Sequence, residues 1–206
     1  MSGIEGIITY IPATENPLSA DVGIIKGRKK TWFYDVGSSD AVLQGILRIE
    51  GDKSIVISHF HPDHMGNLER IPDAECYVGA KTYKYSKRGN VVDSHLYIED
   101  GVRLHIFPIP ACHAKGCLGL EVNEKYAFLG DSTVPTRKDG RTVYNAQLLY
   151  EQIRILEALR AKHVLLSHRM DTLYRKDDII EGLSRIYMKR SSDSPYIPRC
   201  RSRKCG

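Results

Sequence analysis

Residues 58–66 read SHFHPDHMG, so three of the chain's eight histidines and an aspartate fall within six consecutive positions. In an extended segment, side chains two apart share a face, and His59 and His61 can address one metal ion. Pro62 ends that extension and fits the first position of a helix, which turns Asp63 and His64 toward a neighbouring point. Two adjacent ions would use all four side chains. Imidazole nitrogen and carboxylate oxygen suit zinc, iron or manganese, and no thiolate in the loop selects zinc. Taken alone, Asp63 also reads as an ordinary helix N-cap, and an isolated histidine is more often structural than ligating. It is the density of these residues that points to metal chemistry.

Further candidates stand at the ends of apolar runs. TWFY leads to Asp35, IVIS to His59, the segment 107–112 to His113, YAFLG to Asp131 and VLLS to His168. In α/β proteins the chemistry collects just past strand ends, where the core stops and the backbone can approach a ligand. The positioning elements follow from the pattern. GIITYIP, DVGIIKG, TWFYDVG, KSIVIS, ECYVG, VRLHIFPIP, LGLEV, YAFLG and HVLLS are predicted strands. Helical spacing predicts helices over 39–50 with Gly51 as C-cap, over 63–71, in NAQLLYEQIRILEALRA and in DDIIEGLSRIYMKR. The polar, Tyr-rich stretch 81–94 carries no clear period. Strands in both halves with helices between them imply two sheets with helices outside, a four-layer α/β architecture.

At 206 residues and 42% hydrophobic content, the chain suits one core, predicted to span 1–187. Its apolar runs are strand-sized, and the opening MSGIEGIITY has neither the basic start nor the apolar stretch of a signal peptide. The net charge of +5 resides at the end: residues 188–206 hold six of the 30 Lys and Arg but one of the 25 Asp and Glu. The body is therefore neutral. A basic, flexible tail over 188–206 is the expectation, and it argues only weakly for nucleic acid as a partner. Five cysteines (Cys76, Cys112, Cys117, Cys200, Cys205), an odd number without a secretory signal, imply free thiols and a cytoplasmic location.

The run H59-F-H61-P-D63-H64, followed by His113 in PIPACHAKG, Asp131 in FLGDST and His168 in LLSHR, resembles the metallo-β-lactamase-fold hydrolases in ligand order and spacing. FYDVGSS at 33–39 resembles that family's early Asp-x-Gly element. The resemblance implies a four-layer αββα sandwich of two mixed β-sheets with flanking helices. By position it makes His59, His61 and His113 ligands of a first divalent ion, Asp63, His64 and His168 ligands of a second, and Asp131 the bridge between them. Zinc is the first expectation, with iron or manganese as alternatives. Asp63 and Asp131 become the catalytic carboxylates, and Asp35 orients a ligand from behind. The implied activity is hydrolysis of a small ester, thioester, lactone, amide or phosphodiester by a metal-bridging hydroxide. The chain has no room for the helical substrate domain of glyoxalase II-like members. It shows no RNA-binding insertion, and it lacks the motif glutamate and flavin domain of flavodiiron members. A small-molecule substrate is the expected partner. Iron-dependent sulfur or thiol oxidation, a nucleic-acid phosphodiesterase and a non-catalytic metal-binding protein are the competing readings.

Overall fold

The computed structural model describes residue 4 and residues 6–199. Two six-stranded sheets pack face to face. The first runs in the order Ile8–Ile11, Val22–Lys26, Thr31–Tyr34, Lys53–Val56, Glu75–Val78, Asn90–Val91, antiparallel over its first three strands and parallel thereafter. The second runs Tyr174–Arg175, His163–Leu165, Tyr126–Phe128, Cys117–Val122, Arg103–Ile109, Leu96–Glu99, with one parallel pair, His163–Leu165 beside Tyr126–Phe128. Both sheets are mixed.

The strand TWFY is apolar at nearly every position because both of its faces are covered. Trp32 and Tyr34 enter the layer between the sheets with Leu104, Leu120 and Phe128, while Phe33 faces outward with Ile55 against helix α1 (Asp40–Leu47). Ser39 caps α1 by accepting from the Val42 amide. On the far side, α4 (Ala146–Ala158) and α5 (Lys176–Tyr187) cover the second sheet through Leu149, Ile153, Leu156 and Leu183. Asn145 caps α4 at the Leu148 amide. The order of layers is helix, sheet, sheet, helix.

Several elements differ from the sequence expectation. The helix over 39–50 stops at Leu47, and Gly51, with φ +84°, serves the turn into the next strand instead of the cap. The helix over 63–71 divides into α2 (Pro62–Met65) and a 3₁₀ turn at Leu68–Arg70. The break lies at Asn67, whose amide side chain donates to the Val36 and Ser39 carbonyls and whose backbone N–H donates to Gly37. The stretch 81–94 holds α3 (Ala80–Ser86) and the edge strand Asn90–Val91.

The described part of the expected tail, residues 188–199, is not free throughout, and the rest of it lies outside the described residues. Tyr196–Pro198 pairs with Arg141–Asn145, which pairs in turn with Thr136–Lys138, giving a small three-stranded sheet. Ile197 is 1% exposed, packed with Tyr144 among the side chains beneath α4 and α5. One buried isoleucine in a polar sequence carries no periodic signal, which is why this strand escapes a pattern reading. Cys200 and Cys205 lie outside the described residues. Among the described residues no helix is long and apolar enough to cross a membrane.

Because its side chain is buried in the body, Ile197→Ala should lower the unfolding free energy by about 2 kcal/mol or more in chemical denaturation. A midpoint unchanged from the parent would show that residues 196–198 do not belong to the cooperative fold.

Candidate metal centre

The site begins with a buried carboxylate at the end of the strand Thr31–Tyr34. Asp35 is fully buried and adopts φ +63°, a left-handed conformation that costs a non-glycine residue energy and is held where the surroundings fix it. Its Oδ1 accepts from the Ser58 amide at 2.7 Å and its Oδ2 from the Ser58 hydroxyl at 2.8 Å. The same Oδ2 lies 2.7 Å from His64 Nδ1. Ser58 Oγ is also 3.0 Å from His59 Nδ1. Two histidines are thus engaged from behind at Nδ1, leaving each Nε2 to face forward.

Three ring nitrogens meet at the front. His59 Nε2 is 2.9 Å from His61 Nδ1, which is 3.0 Å from His113 Nε2. Ligands about 2.0 to 2.1 Å from a shared ion stand roughly 2.9 to 3.4 Å apart, so these separations match the edges of one coordination shell. Beside it, His168 Nε2 is 3.2 Å and His64 Nε2 3.5 Å from Asp63 Oδ2. Asp131 Oδ2 lies between the sets, 3.4 Å from His113 Nε2, 3.5 Å from His64 Nε2 and 4.0 Å from His168 Nε2. The ligand atoms fall into three overlapping groups, His59–His61–His113, His59–His64–Asp131 and Asp63–His64–His168. All seven residues singled out in the sequence converge here, with Asp35 behind them.

The donor set fits metal ions on a further count. His64 Nε2 is buried with no hydrogen-bond partner, since 3.5 Å to either carboxylate is too long for a good bond. Without an ion, this nitrogen has only the attraction of the two carboxylates 3.5 Å away, and an ion before it would give it a direct partner. His59, His61 and His113 would hold one ion, and Asp63, His64 and His168 a second, with Asp131 reaching both.

Electrostatics sort the histidines into two kinds. Burial, reinforced by His64 and His61, pushes the His59 pKa down to about 2. Burial also lowers His61 and His113. These three present neutral lone pairs. Burial works against charge on His64 too, but Asp35 and Asp131 outweigh it and lift its pKa to about 10. The hydrogen bond that His168 donates to Asp63 raises His168, while Asp63 itself falls to about 2, because His168 and His64 overcome its burial.

The loops that carry the candidate ligands are tightly held. The His113 loop docks on the start of α3, where Gly79 and Gly116 approach so closely that a Cβ on Gly79 would fall 2.1 Å from the Gly116 carbonyl oxygen. Leu118 N donates to the Ser58 carbonyl, joining the loops of the two sheets. Phe60, between two ligands, stacks on Tyr85 with centroids 4.5 Å apart. Cys112 receives the Asn145 amide at its sulfur, and burial raises its thiol. Burial lifts Cys117 to about 12, so neither cysteine offers a thiolate at neutral pH.

Sequence reasoning passed over Asp21. This buried carboxylate accepts from the Ala13 amide at 2.7 Å and from the Met170 amide at 3.3 Å, and so steadies the loop of His168, which has φ +61°. A lone aspartate leading into the strand VGIIK was its only sequence signal. The remaining histidines lie elsewhere. His95 Nδ1 is 2.7 Å from His105 Nε2, and His105 Nδ1 is 3.0 Å from Glu121, beside a cavity of about 390 Å³ on the outer face of the second sheet. His163 stacks on Tyr126.

Held above its unfolded value of 6.5, His64 stabilises the metal-free fold fully below about pH 6.5, and that contribution fades as the pH climbs through 10. An ion at His64 Nε2 must displace a proton there or shift it, so affinity at this position should rise about tenfold per pH unit between about pH 7 and 9. Calorimetric titration in two buffers of different ionisation enthalpy should count about one proton released by His64. Asp35→Asn should weaken metal binding by about 10- to 100-fold. Equal proton release by the parent and His64→Ala proteins would contradict this assignment.

No protein-family model and no curated protein matches the chain. Solved structures do. An archaeal metallo-beta-lactamase superfamily protein, ST1585 from Sulfolobus tokodaii, aligns at 20% identity with a TM-score of 0.61, covering 89% of this chain and 87% of its own. A metallo-beta-lactamase from Pontibacter korlensis aligns at 14% identity and TM-score 0.66, covering 89% and 96%. The chemotaxis sensor ODP, solved as a peroxy diiron species, aligns at 15% identity and TM-score 0.67, covering 86% and 91%. With its two mixed sheets between helices and its His and Asp side chains gathered at the strand ends, the chain has the metallo-β-lactamase fold.

Proposed function

We propose that this protein is a dinuclear metal-dependent hydrolase of a small ester, thioester, lactone or phosphodiester. The observation that carries the reading is the orphaned Nε2 of buried His64, which stands between two ligand sets with Asp131 reaching both. Divalent ions held by these residues would lower the pKa of a bound water toward about 7 and polarise the oxygen under attack. The protein's own residues supply the rest. Neutral His59, His61 and His113 offer lone pairs at no protonation cost near neutral pH. Asp63, ionised at that pH, has Oδ2 at the front of the site, where it can accept a hydrogen bond from the attacking water and orient it. Asp35 holds the proton on His64 Nδ1, keeping Nε2 aimed forward.

Zinc is the proposed metal. An iron-dependent oxidation of a thiol or another sulfur compound is the second reading, favoured by a donor set that contains nitrogen and oxygen but no thiolate, and by likeness in fold to a diiron protein. A cytoplasmic location accords with the free thiols of Cys76, Cys112 and Cys117.

Elemental analysis of protein purified without chelator should find near two equivalents of zinc or manganese per chain. His61→Ala and Asp131→Ala should each lower that content and reduce turnover of a 4-nitrophenyl ester or bis(4-nitrophenyl) phosphate by about 100-fold or more. Iron as the bound metal, with oxygen consumed in the presence of a thiol or persulfide, would replace hydrolysis with the oxidative reading.

A further inference from the structure

The three-stranded sheet made by Thr136–Lys138, Arg141–Asn145 and Tyr196–Pro198 has no part in the metal centre, yet it is fastened to it twice. Tyr144 Oη donates to the carbonyl of Thr133, two residues past Asp131, at 3.2 Å. The Asn145 amide donates to the sulfur of Cys112, the neighbour of His113, at 3.2 Å. The face that carries Tyr144 and Ile197 is the one buried against the body.

Strand alternation places other residues on that same face. Thr142 is two positions from Tyr144. Arg137 is its cross-strand partner on one side, and the Arg199 amide donates to the Thr142 carbonyl on the other. Arg137, Thr142 and Arg199 therefore form one row across the sheet, a step outward from Tyr144. Arg199 lies close enough for its charge to bear on the Tyr144 phenol. Both arginines are exposed, and among the described residues neither has a carboxylate within 4.0 Å.

We propose that this row is an anion-recognition rim, with the guanidinium groups of Arg137 and Arg199 and the Thr142 hydroxyl binding a phosphate or carboxylate that the substrate carries away from its scissile bond. The proposal rests on the hydrolase reading and narrows it to anionic substrates. Strands about 4.8 Å apart put the two arginine backbones roughly 10 Å from one another, a span that two long side chains close around one oxyanion. Guanidinium matches the geometry of such a group through paired N–H donors, and unpaired arginines bring no competing internal carboxylate. It also gives the C-terminal strand a task, since Arg199 reaches the row only because Tyr196–Pro198 pairs with Arg141–Asn145.

The test compares two esters with the same leaving group, neutral 4-nitrophenyl acetate and the anionic half-ester 4-nitrophenyl hydrogen glutarate, on the metal-loaded full chain. Arg137→Gln and Arg199→Gln should each raise KM for the glutarate ester about tenfold, with kcat and the acetate ester unchanged, while Arg199→Lys recovers part of the loss. Weaker competitive inhibition by phenyl phosphate in the same variants would identify phosphate as the preferred group. Weaker inhibition by free glutarate alone would identify carboxylate. KM values for the two esters that respond alike to both substitutions overturn the rim. Should neither ester be turned over, the hydrolase reading fails separately, and calorimetric binding of phenyl phosphate and glutarate decides the rim. Affinity lost in the two variants supports it, and affinity unchanged in both overturns it.

Discussion

The grip of Asp35 on Ser58 and His64 is the interaction on which the site depends. A fully buried carboxylate is tolerable only when its oxygens are satisfied, and here a backbone amide, a hydroxyl and an imidazole do so at 2.7 to 2.8 Å. Each of those partners is a piece of the ligand loop. Satisfying Asp35 therefore fixes the start of that loop and the tautomer of His64. Through the Ser58 hydroxyl it also restrains His59.

The fold makes such a grip possible by ending its strands at one edge. Tyr34 Oη donates to Leu118 from one sheet to the other, Leu118 N returns a bond to Ser58, and Leu129 N bonds Leu165 between the strands that lead to Asp131 and His168. Rigid elements beneath the loops allow two non-glycine residues, Asp35 and His168, to be held in the left-handed region. Strain of that kind persists only where surroundings over-determine the backbone. It marks the two positions at which the chain must turn sharply to present a carboxylate behind the site and an imidazole in front of it.

What was legible in the sequence follows the same physics. The candidate ligands and the strands before them were readable because those apolar runs are long enough to be covered on both faces and end in an ionisable residue. TWFY before Asp35 and VLLS before His168 are examples. The elements that escaped are those whose order comes from partners far along the chain. Leu96–Glu99 is an edge strand with alternating exposure and no hydrophobic run. Tyr196–Pro198 is fixed by pairing with a hairpin some fifty residues earlier, and its only apolar anchor is Ile197. Asp21 was hidden for the same reason, since the amides that donate to it, at 13 and 170, lie far apart along the chain. The expected continuous helix over 63–71 failed because Asn67 is captured by the loop at 36–39, a tertiary demand that local periodicity does not register.

The division of the histidines by charge carries the last step. Burial lowers His59, His61 and His113 and, at His61 and His113, outweighs the nearby carboxylates Asp63 and Asp131, so an ion would meet all three already deprotonated. His64 and His168 face carboxylates, and the same negative field that favours a cation there favours a proton while no ion is present. The protein thus keeps the second position from becoming a cluster of bare carboxylates by letting protons occupy it. In the proposed hydrolase, exchanging those protons for a divalent ion would convert balanced charge into local positive charge, as hydroxide attack on an anionic substrate would require. A neutral first set and a proton-held second set are therefore two halves of one electrostatic arrangement, made from the same side chain by placing Asp35 behind one histidine and Asp63 before another.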